Sequence, residues 1–250
     1  MHSTSTIPES LFPPEVWGTV SRFLDVREVC RLYLGSNRAI QRALHAGVTH
    51  LVDWADVPFP TRFSYFPAQK VCASFVSHFS YLECLHLPYN TNLTDEDMLT
   101  MLSDHVTYID LSCNEELTDV GLSQLPPFLV TLTLKFSPNI TDATLKQLPK
   151  TLKHLDLDRC KHITDVGIAN LPPKLETLSI TFARKITDEG IARLPKTLMQ
   201  LQLAMNKTIT LAGVRELPDK LQILDLSHNT NLAHSSREDF PPHLKVLLTL

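Results

Sequence analysis

Cys160 and His162 are a pair of residues whose side chains suit metal binding, because thiolate sulfur and imidazole nitrogen are preferred ligands of zinc and related ions. A structural metal site needs about four such ligands. No second Cys/His pair follows Cys160-Lys161-His162 at the spacing of a zinc-binding motif. The repeat described below also assigns Cys160 to a buried turn. We therefore predict no metal site.

Short catalytic motifs are missing from the sequence. It has no GxSxG of serine hydrolases, no GxxxxGK phosphate-binding loop, no HExxH of zinc peptidases and no Cys-x5-Arg. The eleven histidines are scattered, and each is expected to be a surface or packing residue. We expect a binding protein, with no catalytic residues and no cofactor.

Composition narrows the class of partner and the compartment. The net charge of −4 gives no general attraction to nucleic acid or to anionic membranes, and no apolar stretch approaches the length of a membrane span. The first ten residues, MHSTSTIPES, have neither the basic nor the apolar region of a secretory signal. Five cysteines without a CxxC spacing indicate reduced thiols, so we expect a cytoplasmic or nuclear protein.

One phrase recurs along most of the chain. PNITDATLKQLPKTLKHLDL begins at residue 138, and KHITDVGIANLPPKLETLSI begins 23 residues later, at residue 161. A fixed period of this length is the signature of a repeat architecture. The repeated triplet L-x-x-L-x-L falls at Leu82-Leu85-Leu87, Val106-Ile109-Leu111, Leu129-Leu132-Leu134, Leu152-Leu155-Leu157, Leu175-Leu178-Ile180, Leu198-Leu201-Leu203 and Leu221-Leu224-Leu226, and an eighth copy starts at Leu244.

Each copy contains the parts of one coil. The alternating end of the triplet has the period of a strand, and a small hydrogen-bonding residue such as Asn114 or Asn206 follows it at a predicted buried turn. Threonine and aspartate then suit a helix start, as cap and as a charge at the positive end of the dipole. A proline such as Pro172 ends the helix. A single coil cannot bury its own leucines, so we predict that the coils stack.

This pattern resembles the leucine-rich repeat, and its "ITD-x-G-I" segment is similar to the cysteine-containing subclass. The resemblance covers residues 82–250, with seven complete repeats and one truncated repeat. It implies an α/β solenoid, a right-handed curved horseshoe with 23-residue repeats.

Residues 8–47 have a different pattern, typical of three short helices. Val16, Val20, Phe23 and Leu24 share one helical face, and two further helices follow around residues 25–35 and 36–47. This order resembles the F-box. The resemblance is carried by Leu11, Pro13, Pro14, Glu15, Val16, Val20, Phe23 and Leu24. It implies that these residues contact an adaptor protein or form the core of the helical head.

The F-box resemblance implies that this head docks on a Skp-type adaptor of a cullin-RING ubiquitin ligase. The alternative is that the three helices only cap the solenoid, whose end otherwise exposes apolar surface. Residues 48–81 form a junction rich in proline and aromatic residues, with a degenerate first repeat as one interpretation.

Stacking predicts a concave face on the strand side, because strands lie about 4.8 Å apart and the helical side is bulkier. Large apolar residues at positions that the repeat leaves free are candidates for interface anchors or for burial under the turn. A loose acidic stripe either receives a basic segment of a partner or is simply solvated. The candidate partner-binding residues on this face are Tyr89, Asp110, Phe136, Asp156, Asp158, Arg159, Phe182, Met205 and Asp225.

The sequence thus predicts a non-catalytic substrate receptor of an SCF-type ubiquitin ligase that holds an unidentified protein on its concave face. The alternative is a plain interaction scaffold without a link to ubiquitin. We expect a monomer, except that the terminal HLKVLLTL has no following coil in this sequence and is a candidate for pairing with a second molecule.

Overall fold

The computed structural model describes residues 50–52, 82–87 and 93–249. The predicted helical head, with all its adaptor-contact residues, and the concave-face candidate Tyr89 lie outside the described residues. So does the predicted junction, apart from residues 50–52.

The described strands form one parallel sheet of nine strands in strict chain order. Equivalent leucines lie opposite one another in register, so Leu132 pairs with Leu155 and Leu155 with Leu178. The strands are β1 His50–Val52, β2 Cys84–His86, β3 Tyr108–Asp110, β4 Thr131–Thr133, β5 His154–Asp156, β6 Thr177–Ser179, β7 Gln200–Gln202, β8 Ile223–Leu226 and β9 Val246–Thr249.

Short helices connect most of these strands. They are α1 Asp95–Met101, α2 Asp142–Gln147, α3 Asp165–Ile168, α4 Asp188–Ala192 and α5 Leu211–Arg215, with 3₁₀ segments at Thr230–Leu232 and Arg237–Asp239. One predicted helix is missing, because the coil that starts at Thr118 makes successive turns instead. Its Ser123 N–H donates to Val120 O at 3.1 Å, an i→i+3 bond that is tighter than a helical i→i+4 bond.

The core lies between the strands and the helices. All residues of the seven complete triplets are buried, at 2% exposure or less. Burial of one such leucine contributes about 2 kcal/mol, and each coil supplies several of them. In the eighth copy Leu244 is buried, whereas Thr249 at the end of the triplet is exposed. The predicted α/β solenoid of stacked coils is confirmed.

No described helix is both long enough and apolar enough to cross a membrane.

Candidate functional site

A column of buried side chains joins neighbouring coils at the turn that follows each strand. Asn114 Nδ2 donates to Leu87 O of the preceding coil at 3.0 Å, and Asn206 Nδ2 donates to Ile180 O at 3.1 Å. Cys160 occupies the equivalent position, and its thiol donates to Leu134 O at 3.1 Å. These bonds satisfy carbonyl groups that are closed off from water, as the sequence predicted for the turn.

A second column joins the coils on the helical side. Five threonines in successive coils each donate their backbone N–H and their hydroxyl to an aspartate of the preceding coil, at 2.8–2.9 Å and 2.5–2.7 Å respectively. This Thr–Asp ladder has five links. They are Thr118–Asp95, Thr141–Asp119, Thr164–Asp142, Thr187–Asp165 and Thr210–Asp188.

Glycine leaves space for four of these five aspartates. A Cβ atom on Gly167 would overlap Asp142 Oδ1 and lie 2.9 Å from Asp142 Cγ, and Gly190 stands in the same relation to Asp165. Thr144 is the exception at this position, and its hydroxyl donates to Asp119 Oδ1 at 2.5 Å. The threonines, aspartates and glycines of the repeat therefore hold neighbouring coils together, and the outer side of the sheet remains available for other contacts.

We use the term strand face for the outward side chains of the sheet and the residues directly after each strand. Three of its aspartates accept the backbone N–H two residues further on: Asp110 from Ser112, Asp156 from Asp158 and Asp225 from Ser227. Such contacts stabilise a turn at the strand end. Asp158 Oδ1 accepts from Ser179 Oγ at 2.6 Å and Thr181 N at 3.0 Å. The acidic stripe is thus engaged in local structure.

Lys135 lies within this acidic stripe, with its Nζ 2.9 Å from Asp156 Oδ2. Burial raises the pKa of the Asp156 carboxyl, and the hydrogen bond from Lys135 offsets only part of that effect. The same hydrogen bond raises the pKa of Lys135. The side chain of Asp156 is 22% exposed and that of Lys135 is 41% exposed. The carboxylate therefore loses more solvation in the fold than the ammonium group does. The contact positions the charge of Lys135 on the strand face more than it stabilises the fold.

A third column follows directly after the strands and has an unusual backbone. Its six residues have φ between 55° and 62°, the left-handed region that favours glycine and asparagine. Other residues pay roughly 1 kcal/mol each for this conformation. We call it the αL column, and its members are Cys113, Phe136, Arg159, Phe182, Met205 and His228.

The centre of the αL column is a stack of three side chains. The guanidinium carbon of Arg159 lies 4.0 Å from the centroid of the Phe182 ring and 4.7 Å from that of the Phe136 ring. Both distances are those of cation–π contacts. Phe136 remains 47% exposed, and Phe182 is half-buried. This Phe–Arg–Phe stack presents an exposed cation between two aromatic rings.

The structure brings together part of the predicted partner-binding set. Arg159 contacts both Phe136 and Phe182, while Met205 and Asp225 lie in later coils. Asp110 is buried, at 8% exposure. Two features were not predicted: the left-handed conformation of the αL column and the stack. The spacing of 23 residues that separates Phe136 from Arg159 and Arg159 from Phe182 was the available signal for the stack.

Two of the described cysteines, Cys84 and Cys160, have thiols with a raised pKa. Burial raises the pKa of the Cys160 thiol to about 12 and that of the Cys84 thiol to about 11, with the charge of Asp110 adding to the second shift. A thiol is a nucleophile only when it is ionised. Within the part of the chain that the structure describes, no group of three His, Cys, Asp or Glu side chains has a metal-binding arrangement.

Comparisons with known proteins agree with this architecture. Residues 103–125, 149–171 and 172–194 match the family model described as Leucine Rich repeat. The comparison with curated proteins found no match.

Several solved structures are similar in fold. A chain of the yeast Rad7–Elc1 complex superposes with a TM-score of 0.60 at 15% sequence identity, and the match covers 94% of this chain. This chain spans 65% of the length of that chain, slightly less than two thirds. LegL7 from Legionella pneumophila superposes with a TM-score of 0.53 at 20% sequence identity, and the match covers 74% of this chain and 71% of LegL7. A chain of the TLR13–ssRNA13 complex superposes with a TM-score of 0.51 at 22% sequence identity, and the match covers 72% of this chain and 26% of that one. The described part of this chain is therefore a solenoid of leucine-rich repeats.

Proposed function

We propose that the protein is a non-catalytic interaction scaffold that binds another protein on its strand face. The observation that carries this proposal is the αL column, where large side chains replace the glycine or asparagine that the backbone favours. A conformational cost that recurs along one face is typical of a functional surface. Aromatic residues, Met and Arg are also enriched in interfaces between proteins.

The more specific proposal is a substrate receptor of an SCF-type cullin-RING ubiquitin ligase. Residues 8–47 would dock on a Skp-type adaptor, and the strand face would hold the protein substrate. The chain itself would carry out no chemistry, and the gain in rate would come from proximity between the bound substrate and the rest of the ligase.

Two observations support the adaptor proposal. The sequence of residues 11–38 resembles the F-box, and it precedes leucine-rich repeats, an arrangement typical of such receptors. The yeast Rad7–Elc1 structure, which has a similar fold, is a complex of two proteins. The alternative remains a scaffold whose N-terminal helices serve only as a solenoid cap, which predicts no adaptor binding.

Matched variants test the role of the strand face. The strand-face variant combines Phe136→Ala, Arg159→Ala and Phe182→Ala. The control combines three exposed apolar residues elsewhere, Val120→Ala, Phe128→Ala and Val166→Ala, of which Phe128 is 64% exposed.

Each tagged variant is expressed in cells of the source organism, and captured proteins are quantified by mass spectrometry. We expect one group of proteins to be lost with the strand-face variant and retained with the control. Equal capture by both variants, with both folded by circular dichroism, would count against this surface.

A further inference from the structure

The guanidinium group of Arg159 contacts two aromatic rings and has no hydrogen-bond acceptor among the described residues. The rings of Phe136 and Phe182 both lie within cation–π distance of it. Among the described residues no oxygen accepts a hydrogen bond from it and no carboxylate forms an ion pair with it. Arginine has five N–H donors in a planar fork. Arg159 is exposed, so these donors remain available to an acceptor on another molecule.

The two carboxylates that precede Arg159 in sequence do not accept hydrogen bonds from its guanidinium group. Asp156 is paired with Lys135, and Asp158 accepts hydrogen bonds from Ser179 and Thr181. The acidic groups of the strand face are thus engaged, and Arg159 has no anionic partner among the described residues. Charge complementarity favours an anionic group as the partner of this arginine.

A guanidinium held between two rings is well suited to a carboxylate. The fork matches the two oxygens of a carboxylate in a bidentate arrangement, and cation–π contacts reduce the motion that binding must otherwise restrict. The half-buried Met205, which follows Phe182 in the column, extends the apolar surface beside the stack. A single acidic residue flanked by apolar residues fits this combination.

We infer that Arg159 is a receptor for an aspartate or glutamate side chain of the bound protein, with apolar neighbours of that residue packing on Phe136 and Phe182. This inference rests on the proposed function of the strand face and specifies the chemistry of the segment that it binds. It differs from the sequence-based expectation of a basic segment on the acidic stripe.

Peptide libraries test the inference on the full chain. Two libraries of nine-residue peptides share random flanking positions and differ only in a fixed central residue, glutamate in one and glutamine in the other. Binding to the immobilised protein is measured at low and at physiological salt. The variants are Arg159→Gln, which removes the charge, and Arg159→Lys, which keeps the charge but loses the fork.

Lys153→Gln is the control, since Lys153 is another exposed cation of the strand side and is paired with Glu176 at 2.8 Å. We expect the glutamate library to bind about tenfold more tightly than the glutamine library, a difference of about 1.4 kcal/mol. The preference should disappear in Arg159→Gln, fall strongly in Arg159→Lys and persist in Lys153→Gln. Sequencing of the bound peptides should show Leu, Met or aromatic residues beside the glutamate.

Other outcomes overturn the inference in distinguishable ways. Peptides that bind without a preference for glutamate, and that are lost with Phe136→Ala and Phe182→Ala, refute the carboxylate receptor and leave the strand face as the binding surface. Enrichment of lysine and arginine also refutes it, in favour of the acidic stripe. Binding that none of these substitutions changes refutes both the inference and the proposed function. Equal melting temperatures of the Arg159 variants and the wild type exclude loss of folding as the cause.

Discussion

Gly167→Ala should destabilise the protein, although alanine is the better helix former. A Cβ at residue 167 would overlap Asp142 Oδ1 and lie 2.9 Å from Asp142 Cγ. The Asp142 carboxylate cannot move away freely, because it accepts the backbone N–H of Thr164 at 2.8 Å and its hydroxyl at 2.6 Å. The substitution therefore breaks or distorts both bonds between the two coils.

The magnitude follows from two opposing effects. A hydrogen bond to a charged group contributes about 1.5–3 kcal/mol, and the half-buried position of this carboxylate favours the lower end for each bond. Replacement of glycine by alanine in a helix by itself stabilises the fold by about 1 kcal/mol. The net loss is then about 2 kcal/mol, which corresponds to a melting temperature lower by about 4–8 °C for a chain of this size.

A double-mutant cycle is the appropriate assay, with thermal unfolding followed by circular dichroism. In the Asp142→Ala background the overlap is absent, so Gly167→Ala should raise the melting temperature by about 2–4 °C. Gly167→Thr should cost less than Gly167→Ala, because the natural Thr144 shows that a hydroxyl at this position donates to the aspartate. A loss from Gly167→Ala that is equal in both backgrounds would refute the steric argument.

Three further predictions concern the buried turn, the Thr–Asp ladder and the thiol of Cys160. The buried hydroxyl of Ser137 has no hydrogen-bond partner among the described residues, and other coils have asparagine at this position. Ser137→Asn should therefore raise the melting temperature by a few degrees, corresponding to about 1 kcal/mol, in the same unfolding assay. Burial raises the pKa of Asp119, but hydrogen bonds from Thr141 and Thr144 outweigh it and lower the pKa below 3.8. The stabilisation by Asp119 is therefore present above this pH and lost as the pH falls further, so the stability difference between wild type and Asp119→Asn, measured by urea unfolding, should shrink from pH 6 to pH 3. Cys160, with its raised pKa, should react with iodoacetamide at pH 8 at least tenfold more slowly in the folded than in the urea-unfolded protein, and equal rates by peptide mass spectrometry would contradict its burial.

The sequence predicted the architecture because the leucine triplets carry it directly. A residue such as Leu155 has one role, burial in the core between the strands and the helices, and its spacing from Leu132 and Leu178 sets the register of the sheet. The turn asparagines were predicted for the same reason. Each of these positions depends on one period, which is visible in the linear sequence.

The role of the aspartates was predicted only in part. Asp142 was assigned to the helix dipole, whereas its two hydrogen bonds go to Thr164 of the next coil. That contact spans 22 residues and appears only once stacking brings the two coils together. Gly167 belongs to the same arrangement, since its missing side chain leaves space for the aspartate.

The candidate site was the least predictable part. The column that contains Phe136 and Phe182 was identified from the sequence, but its left-handed backbone was not, because aromatic residues rarely adopt that conformation. The direction of the Arg159 side chain depends on that backbone. The stack is therefore a property of the folded chain that residue types alone do not reveal.

The measurement that tests the central functional claim most directly is gel filtration of the purified chain mixed with the Skp-type adaptor of its source organism. The account predicts co-elution, and it predicts that Pro14→Ala with Glu15→Lys abolishes co-elution without a change in melting temperature, whereas the strand-face variant still co-elutes. Separate elution of the wild-type chain and the adaptor, with both proteins folded, would contradict the claim and leave a scaffold whose N-terminal helices only cap the solenoid.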